Sequence, residues 1–398
     1  MNSFICRILA AIAIYVSLVR EYSAFARKGS EPVYQDSFDI AAGGASLTRA
    51  SRDGRLFSNP ALLPYGGRFH RWGGINASLL ANDELKNFAG GSSAESSDSG
   101  SADNNSMDAY FGTPVYVEEN FSLSYVSKAF GISIFSDLSF DYMARKIGSN
   151  GAPDIKFQLD TYNGMMLAGA SKTTRWFSVG AGVKPVVGKE KDLFLGLDDI
   201  DQITGDDGKI DNGKASNYVN TKIKGDTSLR SGVGFDIGLL GFFQGKGNDF
   251  SIAVKVDDIG GTVFKQTAVK GAGGSSSEAS DSGDGSAHEL ELFRQVLSSG
   301  MGYALHSDGD AVHFAVDYRD ILDEYKEPEF KKIHAGMKIV LRSYVGLACG
   351  VYQGSPSYGA ELDFIFFRIA ATKFTKELGD RPGVDPRHLY MASFSMGY

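Results

Sequence analysis

Apolar residues at every second position, in segment after segment, constrain this chain more than any other feature. Val233, Phe235, Ile237 and Leu239 alternate with Gly234, Asp236 and Gly238, and Phe250, Ile252, Val254 and Val256 alternate with Ser251, Ala253 and Lys255. The spacing recurs in Phe177, Val179, Ala181 and Val183, and again in Val312, Phe314, Val316 and Tyr318. A period of two puts the apolar set on one face of a strand and the glycines and charges on the other. Lipid outside and a polar lumen inside require that arrangement, although a soluble sheet with one wet face produces it too. Beyond the N-terminus no segment holds the roughly 20 apolar residues of a membrane helix, so a spanning structure here must be a closed barrel.

Candidate strand windows run from residue 68 to 398, among them 108–117, 120–129, 217–229, 261–270, 357–368 and 387–398. Some must merge or fall in loops. About 14 strands are expected, an even number as single-chain bacterial barrels take. The expected fold is therefore all-β, a transmembrane antiparallel β-barrel.

Both ends of the sequence fit that fold. Residues 1–26 read as a signal peptide, with Arg7 in the n-region, Ile8 to Val19 as a short apolar run and Ala24-Phe25-Ala26 as the cleavage site. An uncleaved anchor is the alternative. At the other end Tyr390, Phe394, Met396 and Tyr398 share one face of a strand, with Ser393, Ser395 and Gly397 on the other. Phe394, Met396 and Tyr398 are the expected signal for the barrel assembly machinery, which recognises a last strand closing on an aromatic.

Composition narrows the partners. The net charge of −8 argues against nucleic acid. The two cysteines are Cys6, inside the signal peptide, and Cys349, so cleavage leaves none to pair. Forty-nine glycines, 27 Phe and 18 Tyr against 10 Pro suit many short alternating strands.

Residues 27–67 break the alternation. Small residues from Ala41 to Ala45 and turn formers at Ser58-Asn59-Pro60 suggest a compact, partly helical segment. About 40 residues cannot bury a core of their own, so this segment must pack inside or against the barrel of residues 68–398. Three polar inserts, near 90–106, 198–214 and 270–288, lack the apolar residues to pack and are expected to be flexible surface loops.

The run Ala42-Gly-Gly-Ala-Ser-Leu-Thr-Arg-Ala-Ser-Arg-Asp-Gly-Arg-Leu-Phe-Ser-Asn-Pro-Ala-Leu-Leu63 resembles the N-terminal signature of FadL-type long-chain fatty acid transport proteins. That family has TodX-like, PorV-like and TraF-like relatives. Gly43-Gly44-Ala45, Asp53 and Asn59-Pro60-Ala61 carry the likeness, with Leu62 where the family usually has glycine. The resemblance implies a 14-stranded barrel of the bacterial outer membrane whose N-terminal hatch blocks the lumen and shifts to admit hydrophobic substrates. Gly43, Gly44, Phe57, Asn59, Pro60, Ala61, Leu62 and Leu63 then become the expected substrate and gating residues. Packing of Leu56, Phe57, Leu62 and Leu63 against the wall is the plainer alternative.

Enzymatic chemistry finds little support. His70, His288, His306, His313, His334 and His388 are scattered without metal-ligand spacing, and His313 with Asp317 lacks an assignable serine for a triad. The acidic stretch 198–212 departs from the EF-hand order. No enzyme, cofactor or metal is expected. The expected role is uptake of hydrophobic small molecules such as long-chain fatty acids, by a monomer among outer-membrane lipids. The alternative is a non-transporting PorV-like scaffold for exported proteins.

Overall fold

The computed structural model describes residues 34–52, 54–65, 71–85, 114–147, 152–195, 214, 218, 229–267, 290–364, 366–377, 383 and 386–397. The expected signal peptide, Asp53, Tyr398 and the inserts near 90–106, 198–214 and 270–288 lie outside these residues, apart from Lys214.

The strands, in chain order, are β1 (Arg71–Asn82), β2 (Val115–Ser127), β3 (Phe130–Ile147), β4 (Ala152–Lys172), β5 (Phe177–Leu195), β6 (Leu229–Gln244), β7 (Asn248–Asp257) and β8 (Thr262–Thr267). They continue with β9 (Leu290–Phe293), β10 (Val296–Ser307), β11 (Asp310–Tyr318), β12 (Ile333–Leu341), β13 (Val345–Tyr352), β14 (Ser355–Asp363), β15 (Phe367–Glu377) and β16 (Pro386–Gly397). Antiparallel pairing runs unbroken from β5 through β1 to β16 and on to β6, and β5 pairs with β6 to close the ring. The wall thus has 14 strands, the number expected.

β8 and β9 are not members of the 14-strand ring, although β8 also pairs with β6 at Leu229–Ser231. They prolong the β7–β10 hairpin past a kink at 258–261, where Asp258, Gly260 and Gly261 all have positive φ. Phe293 of this arm is buried against Tyr162 of β4, with ring centroids 5.6 Å apart, so the arm folds inward over the lumen.

Three windows resolve differently from the sequence reading. The described parts of 108–117 and 120–129 meet in one strand, β2, with 108–113 outside the described residues, and 357–368 runs from β14 into β15.

The alternation sorts as expected. Phe235, Ile237, Phe250, Ile252, Phe314 and Val316 are exposed on the outer surface, while Asp236, Ser251, Lys255 and Asp317 are buried within the lumen. Phe394 and Met396 also face out and Ser395 in. An outer surface this apolar is the surface a bilayer requires. Connections at one end are short, at residues 128–129, 173–176, 245–247, 308–309, 342–344 and 364–366. The long connections gather at the other end. Strands β3–β5 have 18, 21 and 19 residues against 8 or 9 in β12–β14, so the wall is taller on one side.

Candidate functional site

The lumen is filled by residues 34–52 and 54–65. Asp36 opens the short helix α1 (Ser37–Ala41), its carboxylate accepting from Phe38 N at 2.9 Å. A turn through Gly43 and Gly44, both at positive φ, reverses the chain. The helix α2 (Gly54–Ser58) and a 3₁₀ turn (Pro60–Tyr65) follow. Pro60 opens that turn, where a missing N–H costs nothing and the fixed φ is already suitable.

This segment rests on seats made by glycines of the wall. Gly336 and Gly350 are paired across β12 and β13, and a Cβ on either would collide with the Ala42-Gly43 backbone. Gly180 and Gly238 are paired across β5 and β6 in the same way, and a Cβ there would strike Pro60 or the Asn59 side chain. On β10, Gly300 and Gly302 leave room for Leu47 and Thr48. The Gly-Gly-Ala and Asn-Pro-Ala turns therefore dock on opposite arcs of the barrel, each on a glycine pair.

Polar contacts fix both ends. Asn59 is fully buried; its Nδ2 donates to Leu47 O at 3.1 Å and Leu239 O at 3.4 Å, and its Oδ1 accepts from Ala61 N at 3.0 Å. Ser178 of β5 donates to Ala61 O at 2.7 Å, and Lys255 of β7 donates to Phe57 O. Around the first turn, His334 Nδ1 donates to Gly43 O at 2.8 Å and Arg319 to Gly44 O at 2.6 Å. Asp317 accepts from Ser46 N and Leu47 N at 2.6 and 2.9 Å. Asp317 is thus engaged by the hatch backbone rather than by His313.

Ion pairs complete the docking. Arg368 of β15 grips Asp36 through both terminal nitrogens and reaches Glu361 with Nε at 2.6 Å, Lys338 of β12 meets Asp39, and Arg52 meets Asp363. Burial alone would raise the Asp36 carboxyl; the Arg368 guanidinium, with Lys338 and the Phe38 N–H, outweighs it and holds Asp36 below the usual carboxylate range.

The apolar residues expected at the site divide between two of the four clusters that this segment joins. Leu56, Phe57 and Leu63 join Tyr34, Phe135, Tyr162, Met166, Val186 and Phe293 in one column. Phe57 stacks against Tyr34 at 5.0 Å and meets Phe135 edge-on at 5.4 Å. Leu62 and Ala61 instead pack with Leu47, Leu240 and Phe242. The anchors Asp317, Lys338, Lys255 and Arg368 were not among the expected site residues. Their signal was a charge on the inward face of a strand, and nothing in the sequence pointed that charge at the hatch.

The closed wall, its apolar outer surface and the internal plug define an outer-membrane β-barrel protein. No family model and no curated protein matches the sequence. Among solved structures, the chain is similar to a deltaS2S3 mutant of the TodX monoaromatic hydrocarbon channel, with a TM-score of 0.50 at 12% identity over 93% of this chain and 99% of the other. It is also similar to the toluene transporter TbuX of Ralstonia pickettii, at 0.46, 12%, 91% and 97%, and to a Pseudomonas aeruginosa FadL homologue, at 0.36, 9%, 94% and 99%. The first likeness establishes a shared fold, the one the FadL-type resemblance implied.

Proposed function

We propose that the protein is an outer-membrane channel for hydrophobic small molecules, gated by its N-terminal hatch. One observation carries this reading: inside a lumen lined largely by polar and small residues, an apolar column leads from Phe293 under the arm, past Tyr162 and Phe135, to Phe57 on the hatch. A greasy solute has a favourable path along such a column and none through water. The naming of the similar TodX and TbuX structures as a hydrocarbon channel and a toluene transporter agrees with it. In this reading the long connections face the cell surface and the short turns the periplasm. The barrel works as a monomer in outer-membrane lipid, and Phe394, Met396 and Tyr398 guide its assembly. Gly43, Gly44, Phe57, Asn59, Pro60, Ala61, Leu62 and Leu63 form the movable part. Long-chain fatty acids and monoaromatic hydrocarbons are the solutes to try first.

The density of hatch contacts favours a second reading, a sealed PorV-like scaffold for exported proteins. The test is solute uptake by cells carrying wild type or the double variant N59A/P60A at matched barrel abundance. Altered uptake of a fatty acid or toluene supports the channel. Uptake that is absent in both, or identical in both, favours the scaffold.

A further inference from the structure

Between the hatch and the short-turn end of the barrel lies a second chamber, a cavity of about 510 Å³ that the apolar column does not reach. One side is apolar. Leu62, Pro64 and Tyr65 come from the hatch and Phe242 from β6, and the Tyr65 and Phe242 rings lie 4.6 Å apart. The other side is basic: Arg49 from the hatch, with Lys172 and Lys338 from the wall, Lys338 being held already by Asp39.

The carboxylates in the lining are already engaged. Glu361 is bound by Arg368. Asp249 takes His306 Nε2 at 2.8 Å and forms an ion pair with Arg49 Nη2 at 3.7 Å, which leaves the guanidinium's Nε edge unmet. Several buried polar atoms around the chamber are left without a hydrogen-bond partner: Arg49 Nε and Nη2, His313 Nδ1 and Thr48 Oγ1. Thr48 is 1% exposed. Orphaned donors in a buried site are costly unless a ligand meets them, and a guanidinium edge fits a carboxylate in two-point geometry. The cations also sit over the rings, Arg49 at 5.2 Å from the Phe242 centroid and Lys172 at 4.0 Å from that of Tyr65.

We infer that this chamber is a binding site for a compact aromatic monocarboxylate, whose carboxylate meets Arg49, Thr48 and His313 while its ring lies on Tyr65 and Phe242. The volume falls within the roughly 300–1,000 Å³ of small-molecule sites. The inference rests on the channel reading for how the ligand arrives, and it deepens that reading by naming an anion rather than a neutral hydrocarbon as the solute held below the hatch. Because Arg49 belongs to the hatch, an occupying carboxylate also competes with Asp249 for a hatch-to-wall contact.

Calorimetric titration of the full chain, folded in detergent, with 2-naphthoate, its methyl ester and inorganic phosphate tests this. The acid should bind at least about tenfold more tightly than the ester and weaken as salt rises, as a charge-assisted contact does. Arg49→Gln should weaken the acid by about tenfold or more and leave the ester unchanged. Equal binding of acid and ester, displacement of naphthoate by equimolar phosphate, or an R49Q affinity equal to wild type overturns the site. Should R49Q lose heat-modifiable migration, the isosteric Thr48→Val, which removes another of the unpartnered donors, carries the same acid-versus-ester comparison, and an unchanged preference for the acid overturns the inference. Binding without any cellular uptake would sink the channel reading and leave the site; uptake of toluene without naphthoate binding would do the reverse.

Discussion

At the scale of single residues, docking of the hatch depends on atoms that are missing as much as on atoms present. Gly238 leaves the volume that the Asn59 carboxamide occupies, so Gly238→Leu must push Asn59 off its seat. Asn59→Ala removes contacts with Leu47, Leu239 and Ala61 and strands buried backbone groups, at about 1–3 kcal/mol for each unsatisfied group. Both variants should keep a folded wall while amides of residues 54–65 exchange faster, read by hydrogen exchange in detergent. Protection equal to wild type would mean the seat is incidental. Asp36 gives a pH signature. Its carboxyl is held below the usual range, so its contribution to docking is present in full above roughly pH 4 and is lost as pH falls through the lowered value. Protection of α1 should be flat from pH 8 to 5 and fall below about 4. Asp36→Asn should abolish that fall and weaken docking throughout the range in which wild-type Asp36 is ionised, because breaking a buried pair costs on the order of 3–5 kcal/mol. Loss of protection already between pH 7 and 5 would point to another group.

Among elements, legibility in the sequence followed the clarity of the two faces. β6, β7 and β11 alternate large apolar residues with glycine or charge and could be read directly. β15 could not, because Ala371 and Lys373 lie outside while Ala370 and Phe374 lie inside, which blurs the contrast. β2 looked like two strands because Glu118-Glu119-Asn120 resembles a turn. In the barrel Glu118 is bridged by Tyr116 Oη and by Asn120 Nδ2 at 2.9 Å, so the inward face absorbs Glu118 and Asn120 while Glu119 is exposed on the other face and the strand runs through. The hatch turns were visible in the sequence, but their seats were not, since a glycine that clears space for a segment 100 to 300 residues away has no local mark. β8 lies within the expected window 261–270, but β9 and the inward fold of the arm escaped for the same reason. Its inward fold depends on Phe293 and on Lys184, which pairs with Asp258 at 2.9 Å and Asp236 at 3.5 Å beside the kink. Phe293→Ala should free the arm, at about 3–5 kcal/mol for a buried ring. The expected result is faster exchange in β8 and β9 with β7 and β10 unchanged. If all four strands respond together, the arm is part of the wall's cooperative unit.

For the whole molecule, the wall and the plug are stabilised by different means, and that separation is testable. Every wall strand has two hydrogen-bonded neighbours and the ring closes through β1–β16 and β5–β6, so the backbone is satisfied with no help from the hatch. The hatch has almost no core of its own and takes its stability from glycine seats, ion pairs and four apolar clusters shared with the wall. Removing residues 34–65 would leave Arg368, Lys338 and Asp317 without their partners, but water entering the vacated lumen would solvate all three. The barrel lacking residues 34–65 should therefore still show heat-modifiable migration and a strand-dominated circular dichroism spectrum. In planar bilayers the full chain should be nearly silent, because the hatch fills the lumen, whereas the deleted form should give large stepwise ion currents. A deleted chain that fails to fold would show that the wall depends on its plug. One that folds and stays silent would mean that the inward arm, or the apolar column beneath it, seals the pore alone; F293A introduced into the same background should then restore the current.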